Sequence, residues 1–151
     1  MCPSPSDEGP NSTGPPDRQT LRLLERILAD EPLVEATAFE PDAYEPQLVR
    51  ASVDAGRYPA SVEAARFDIR WFASGDFSIH YVEIASADAY WECRWDRHPN
   101  PHSARTHFHR PPDGVDIEEL ELSSRHPLDV ISTVLTAIEN RIGQHWSYCR
   151  L

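Results

Sequence analysis

The residues best suited to chemistry lie close together, between Tyr90 and Pro112. This segment holds four of the chain's seven histidines and four arginines, but only two acids, Glu92 and Asp96. Imidazoles exchange protons near neutral pH, and guanidiniums hold phosphate groups and stabilise developing negative charge. The segment therefore predicts a surface for RNA or a similar polyanion, with groups suited to metal-free phosphodiester cleavage. Its basic and titratable residues are His98, His102, His107, His109, Arg94, Arg97, Arg105 and Arg110.

The same histidines permit a second interpretation, a metal site. They follow one another at intervals of four, five and two residues, with Cys93 and Asp96 nearby. Zinc sites in small domains usually show more closely paired ligands, and the chain has no C-x-x-C or H-E-x-x-H motif. We therefore expect no metal and no cofactor, and a zinc-binding accessory protein is the less favoured alternative.

The protein as a whole is negatively charged, whereas the segment from Tyr90 to Pro112 is positively charged. The net charge is -11, and all 14 basic side chains are arginine. A lysine-free acidic surface is typical of extreme halophiles, and in about 1 M salt the Debye length falls to about 3 Å. RNA would then be held by bidentate arginine contacts and stacking at contact distance. The simplest alternative is a solvated hairpin in which arginine replaces lysine and the histidines are incidental.

The cysteines and the apolar pattern indicate the cellular compartment in which the protein is expected. Cys2, Cys93 and Cys149 are odd in number and far apart, which argues against a disulfide framework. We find no signal-peptide pattern and no apolar run long enough to span a membrane. We expect a cytoplasmic protein with no membrane partner.

The elements that must position the segment follow from periodicity. Met1 to Pro16 is rich in proline and predicts a disordered leader, so that residues 17–151 form one domain. Apolar spacing from Asp17 to Asp30 predicts an amphipathic helix, with Pro16 or Asp17 near its start and Pro32 just past its end. Shorter alternating runs between Leu33 and Asp54 predict two strands joined by a turn at Pro41 to Pro46.

Three stronger runs of period two follow. Phe67, Ile69 and Trp71 predict one strand, and the segments beginning at Phe77 and Trp91 repeat the alternation after short turns, which is typical of an antiparallel meander. Arg105 to Arg110 is expected to fold back as a further strand, with His107 and His109 on the same side. The polar face would then gather Arg70, His80, Glu92, Arg94, Asp96, His107 and His109, and His80 and Tyr90 are candidates for substrate binding there.

The chain is expected to close with a second helix. Leu128, Ile131, Leu135, Ile138 and Ile142 are spaced three and four residues apart, with Pro127 suited to the first position and Gly143 to the end. The predicted fold class is α+β: an antiparallel meander of four to six strands with an N-terminal and a C-terminal helix packed on one face.

The order of the motifs resembles the TumE family, small toxins of toxin–antitoxin systems. That family carries an R-x-D-x-x-P-H-H-like stretch and then an H-H-x-H stretch, after a meander rich in Trp and Tyr. Arg94-Trp95-Asp96 with Pro101-His102 resembles the first stretch, and His107-Phe108-His109 resembles the second. Each has one His where the family often has two adjacent. The resemblance spans Val62 to Ile142 and implies a growth-inhibiting protein that a small cognate antitoxin neutralises.

The predicted activity is metal-independent endoribonuclease cleavage. His107 or His109 would take the proton of the ribose 2′-hydroxyl, and His102 or His98 would protonate the leaving 5′-oxygen. Arg94, with Arg97 or Arg105, would hold the phosphate, while Asp96 would fix an imidazole tautomer or pair with an arginine. The alternative is a module that binds RNA or a partner protein through the same surface without turnover.

Overall fold

The computed structural model describes residues 14–99 and 105–149. These residues form two α-helices and seven β-strands in the order α1, β1 to β7, α2. The helices are α1 (Arg18–Ala29) and α2 (Pro127–Cys149). The strands are β1 (Val34–Glu40), β2 (Leu48–Val53), β3 (Val62–Trp71), β4 (Phe77–Ala85), β5 (Tyr90–Arg97), β6 (Thr106–His109) and β7 (Ile117–Glu119). Each strand pairs antiparallel with the one before it, so the sheet is one meander.

The predicted α+β class, with a helix at each end of the meander, is confirmed. The predicted number of four to six strands is wrong, because the described residues contain seven. The strand beyond the prediction is β7, which is only three residues long and has all three side chains exposed. Such a strand has no alternation of buried and exposed positions, and alternation is the signal by which a strand is recognised in a sequence.

The first helix begins and ends where the sequence predicts. Asp17 is its N-cap, and its carboxylate accepts hydrogen bonds from the backbone N–H and the hydroxyl of Thr20, at 3.1 and 2.8 Å. Leu21, Leu24 and Leu28 are fully buried. Their spacing places all three on the side of the helix that faces the sheet.

The second helix differs from the prediction at its end and in its buried stripe. It runs six residues past Gly143, since His145 contacts Glu83 at 2.9 Å and the indole N–H of Trp146 donates to the Arg57 carbonyl oxygen at 2.8 Å. Leu128 is 39% exposed and Leu135 is only partly buried, whereas two valines of the first turns lie in the core. The buried residues are Val130, Ile131, Val134, Ile138 and Ile142.

Both helices contribute to one hydrophobic core on a single face of the sheet, which we call the core face. Phe67, Ile69, Ile79 and Tyr81 are at most 1% exposed there, and Trp95 is also buried. Side chains of the alternate positions lie on the opposite face, which we call the outer face. The core face holds the fold together, and the outer face carries most of the candidate site residues.

The start of the described chain lies against the sheet. The backbone N–H of Ala73 donates to the Pro15 carbonyl oxygen at 2.9 Å, and that of Asp17 donates to the Trp71 carbonyl oxygen at 2.8 Å. The remainder of the expected leader, residues 1–13, lies outside the described residues. Within the described ranges, neither helix combines the length and the apolar character that crossing a bilayer requires.

Candidate active site

The pairing of β5 with β6 gathers the predicted catalytic residues on the outer face. Arg94 lies opposite His109, and Asp96 lies opposite His107, while Trp95 and Phe108 form the intervening pair on the core face. Directly paired residues share a face, so four candidate side chains lie together, as the alternation predicted. His98 follows β5 and joins them. We call Arg94, Asp96, His98, His107 and His109 the histidine cluster.

Asp96 is the centre of the cluster. Its Oδ2 atom accepts a hydrogen bond from Arg94 Nε at 2.8 Å and lies 2.9 Å from His109 Nε2. The residue is only 3% exposed, and Oδ1 has no hydrogen-bond partner within the described part of the chain. Asp96 therefore contacts both an arginine and a histidine, and one of its two oxygens stays available.

The ring of His109 is held at both nitrogens. Nδ1 lies 3.2 Å from the Gly114 carbonyl oxygen, and Nε2 lies 3.2 Å from the Arg94 guanidinium. Gly114 has φ +75°, a backbone conformation that favours glycine, in the loop that places this carbonyl. Burial lowers the pKa of His109, and the Arg94 cation lowers it further against the opposing effects of Asp96 and Gly114. Both ring nitrogens are therefore engaged by neighbouring polar groups, and Nε2 faces Arg94 and Asp96 together.

His98 and His107 face each other through their Nε2 atoms, which are 3.0 Å apart. His98 Nδ1 lies 3.1 Å from the Pro99 carbonyl oxygen, an acceptor that fixes a proton on this nitrogen. His98 then presents a lone pair at Nε2 when the ring is neutral. His107 is 2% exposed and His98 is half-buried, so His98 is the more accessible ring of the pair.

A shallow cavity adjoins the cluster along the outer face. Its volume is about 190 Å³, and Arg70, His80 and Arg94 are among its lining residues. His80 lies opposite Arg94 in the β4–β5 pairing, and its Nε2 contacts Glu92 Oε1 at 3.0 Å. The Arg94 side chain is 42% exposed, so a guanidinium bound to Asp96 also faces solvent. The cavity thus presents two arginines beside one carboxylate.

Other predicted site residues lie away from the cluster. Arg97 Nη1 donates to Asp76 Oδ1 at 2.6 Å, and Arg105 donates two 3.0 Å hydrogen bonds to the same carboxylate. Arg110 is 3.8 Å from Glu118, and Tyr90 is 61% exposed at the opposite end of β5. The predicted His102 lies outside the described residues.

Two buried carboxylates were not among the predicted functional residues. Asp76 is fully buried, but its position in the Ser74-Gly75-Asp76 turn gave no sign of this. Glu83 is 2% exposed and accepts hydrogen bonds from Arg141 and Tyr81. An acid at a core-face position of an alternating strand is the signal by which Glu83 can be found.

The cluster also offers donor atoms for a metal ion. One ligand atom each of Asp96, His98 and His107 lies within 4.8 Å of the other two. Cys93, which the sequence placed near a possible metal site, is buried on the core face instead. Of the ligands considered from the sequence, the structure thus brings three together.

Comparison with known proteins identifies the family of the chain. The family model described as Toxin TumE matches residues 24–142, which include the sheet and the histidine cluster. No curated protein and no solved structure matches the chain. Because the family match covers most of the sequence, the chain belongs to the TumE toxin family.

Proposed function

We propose that this protein inhibits growth by cleaving RNA at the histidine cluster, by acid–base chemistry that needs no metal ion. The observation that carries the proposal is the β5–β6 register, which joins imidazoles, a carboxylate and a guanidinium through hydrogen bonds. Proton transfer and stabilisation of a negatively charged transition state both require such groups. Membership of a toxin family further implies a cognate antitoxin as the protein partner.

The sequence predicted His107 or His109 as the base and His102 or His98 as the acid. Because His107 and His109 are only 2% and 9% exposed, we assign the first proton transfer instead to the His98–His107 pair, with His98 as the base. His98 is the accessible ring, and its Nε2 turns from the His107 contact and takes the proton of the ribose 2′-hydroxyl while the 2′-oxygen attacks the phosphorus atom. The phosphorus–5′-oxygen bond breaks and a 2′,3′-cyclic phosphate forms. The leaving 5′-oxygen takes a proton from a second imidazole, for which His102 remains the predicted donor.

Arg94 is assigned to the phosphate. Its guanidinium contacts Asp96 but stays 42% exposed, so it can donate to a phosphate oxygen without leaving the cluster. Arg70 lines the cavity beside it. Because the protein carries a net charge of -11, binding relies on these contacts at short range and not on long-range attraction. We expect this binding to persist in the molar salt of a halophile cytoplasm.

The test compares His98→Ala with His126→Asn. His126 is an exposed imidazole outside the cluster, and its Nδ1 accepts from the Leu128 backbone N–H, a contact that an Asn oxygen can also make. We expect His98→Ala to lower RNA cleavage by about 10²-fold to 10⁴-fold and to abolish growth arrest, while His126→Asn behaves as wild type. Unchanged cleavage by a folded His98→Ala variant would exclude the mechanism.

One observation favours a second candidate, a module that binds RNA without cutting it. His107 and His109 are 2% and 9% exposed, so both rings are buried enough to serve as supports for the surface. Purified protein is incubated with total RNA in EDTA, and the RNA is analysed for both binding and chain length. Shortened RNA supports the nuclease, whereas RNA that is bound at full length supports the module.

A further inference from the structure

We infer that Asp96, His98 and His107 form a binding site for one transition-metal ion of the zinc class, and that filling this site switches off the proposed cleavage. The metal site rests on geometry alone. Its effect on cleavage rests on the proposed function, because the metal would occupy the imidazoles to which the proton transfer is assigned.

His98 is held as metal-bound histidines are usually held. Its Nδ1 lies 3.1 Å from a backbone carbonyl oxygen, that of Pro99, which fixes the tautomer and directs the Nε2 lone pair away from the backbone. That lone pair is directed at the Nε2 atom of His107, 3.0 Å away. Two imidazole nitrogens thus converge on one point, and a metal ion can replace the proton between them.

The two oxygens of Asp96 differ in a way that suits a ligand. Oδ2 accepts a hydrogen bond from Arg94 Nε at 2.8 Å and lies 2.9 Å from His109 Nε2. Oδ1 is buried and has no hydrogen-bond partner among the described residues, although leaving a carboxylate oxygen unpaired in the interior costs free energy. A cation bound at Oδ1 removes this cost, while the partners of Oδ2 orient the carboxylate.

The spacing fits a tetrahedral ion after a small adjustment. The three donor atoms lie within 4.8 Å of one another, and ligands of zinc at its usual bond lengths are about 3.4 Å apart. Two imidazoles and a carboxylate favour zinc, cobalt or nickel over magnesium and calcium, which prefer all-oxygen sites. Three protein ligands leave a fourth position for water.

Occupation of the site changes what the cluster can do. A metal-bound Nε2 has no lone pair with which to take a proton, so His98 and His107 lose the role assigned to them. Metal and protons compete for the same nitrogens, so zinc affinity falls as the pH decreases. Zinc is therefore expected to inhibit cleavage, and a chelator to restore it.

Titration calorimetry with Zn²⁺ tests the site directly. It uses chelator-treated protein in which Cys2 and Cys149 are replaced by Ser, so that neither of these thiols binds the ion. We expect one ion per chain in this background and in His126→Asn. In His98→Ala the affinity should fall by more than about 100-fold, which exceeds the loss typical of changing a residue that only contacts a metal ligand. His107→Gln should lose binding similarly.

Co²⁺ provides a second measurement, since its visible absorption reports imidazole coordination. We expect a tetrahedral cobalt spectrum in the wild type that is absent from His98→Ala. The inference is overturned if the wild type binds no Zn²⁺ at one ion per chain, or if His98→Ala binds Zn²⁺ as tightly as His126→Asn does.

RNA cleavage with and without Zn²⁺ separates this inference from the proposed function. Binding together with inhibition supports both. Binding with cleavage that requires Zn²⁺ supports the site and overturns the metal-independent mechanism. Binding with no cleavage in either condition supports the site and favours the non-catalytic module. Cleavage without any stoichiometric binding overturns the site and leaves the nuclease proposal in place.

Discussion

Replacing Glu83 by Gln should destabilise the protein far more than an ordinary surface change. The carboxylate is 2% exposed and lies beneath α2, where Arg141 donates two hydrogen bonds of 3.0 Å to it. Tyr81 donates at 2.7 Å, and His145 Nε2 lies 2.9 Å away. A Gln amide keeps one acceptor oxygen, but its NH₂ group replaces the other oxygen and faces groups that donate hydrogen bonds. Gln also carries no charge, so Arg141 loses its counter-charge in a largely buried position.

The magnitude follows from the burial of this pair. Removing one partner of a buried ion pair costs about 3–5 kcal/mol, because the remaining charge stays desolvated. Total stabilities of domains are about 5–15 kcal/mol, so the change removes a large share. For a domain of this size we expect the melting temperature to fall by about 6–20 °C.

Urea denaturation followed by circular dichroism measures the effect. The matched control is Glu118→Gln, which removes the same charge from a side chain that is 53% exposed and 3.8 Å from Arg110. We expect the control to change the free energy of unfolding by less than about 0.5 kcal/mol. The midpoint for Glu83→Gln should shift with little change in the denaturant slope.

A double-mutant cycle with Arg141→Met identifies the cause. Since the two residues act through each other, the double variant should be about 0.5–3 kcal/mol more stable than the sum of the single effects predicts. Equal midpoints for Glu83→Gln and the Glu118→Gln control, or strict additivity in the cycle, would refute the reasoning.

The remaining predictions concern titration and thiol reactivity. Burial alone raises the pKa of Glu83, but hydrogen bonds from Arg141, Tyr81 and His145 together outweigh it and lower the pKa below its ordinary value. The ionised Glu83 therefore stabilises the fold fully above the pKa of the unfolded chain, and this stabilisation is lost as the pH falls through the pKa of the folded protein. On acidification, the urea midpoint of the wild type should fall by this contribution, which Glu83→Gln lacks. Burial also raises the pKa of the Cys93 thiol to about 12. Peptide mapping after iodoacetamide treatment of the native protein should find Cys93 unmodified and the exposed Cys149 alkylated. Early alkylation of both cysteines would contradict the packing.

The sheet could be predicted where side chains alternate and turns are short. Phe67, Ile69 and Trp71 carry that signal in β3, and their continuation into β4 and β5 follows from tight connections. The end of α2 could not be predicted in the same way. Gly143 is a reasonable stop for a helix judged locally, but the contacts that extend the helix are to Glu83 and Arg57, both distant in sequence.

The candidate site, too, could be predicted from the sequence only in part. Period two placed His107 and His109 on one face, and a hairpin after β5 brought them opposite Asp96 and Arg94. The alternation does not indicate how deeply a side chain is buried, because the burial of His107 depends on neighbouring strands and loops. Nor does composition reveal that Arg97 and Arg105 contact Asp76, which looks like an ordinary turn residue in the sequence.

The strictly sequential order of the meander bears on how the protein is made. Each strand finds its partner in the segment synthesised immediately before it, so loop-closure costs stay low and pairing can follow translation. The part of the apolar side that α1 does not cover stays exposed until α2, which follows every strand, has left the ribosomal tunnel. We therefore expect nascent chains that already contain β5 and β6 to depend on chaperones until the last helix docks.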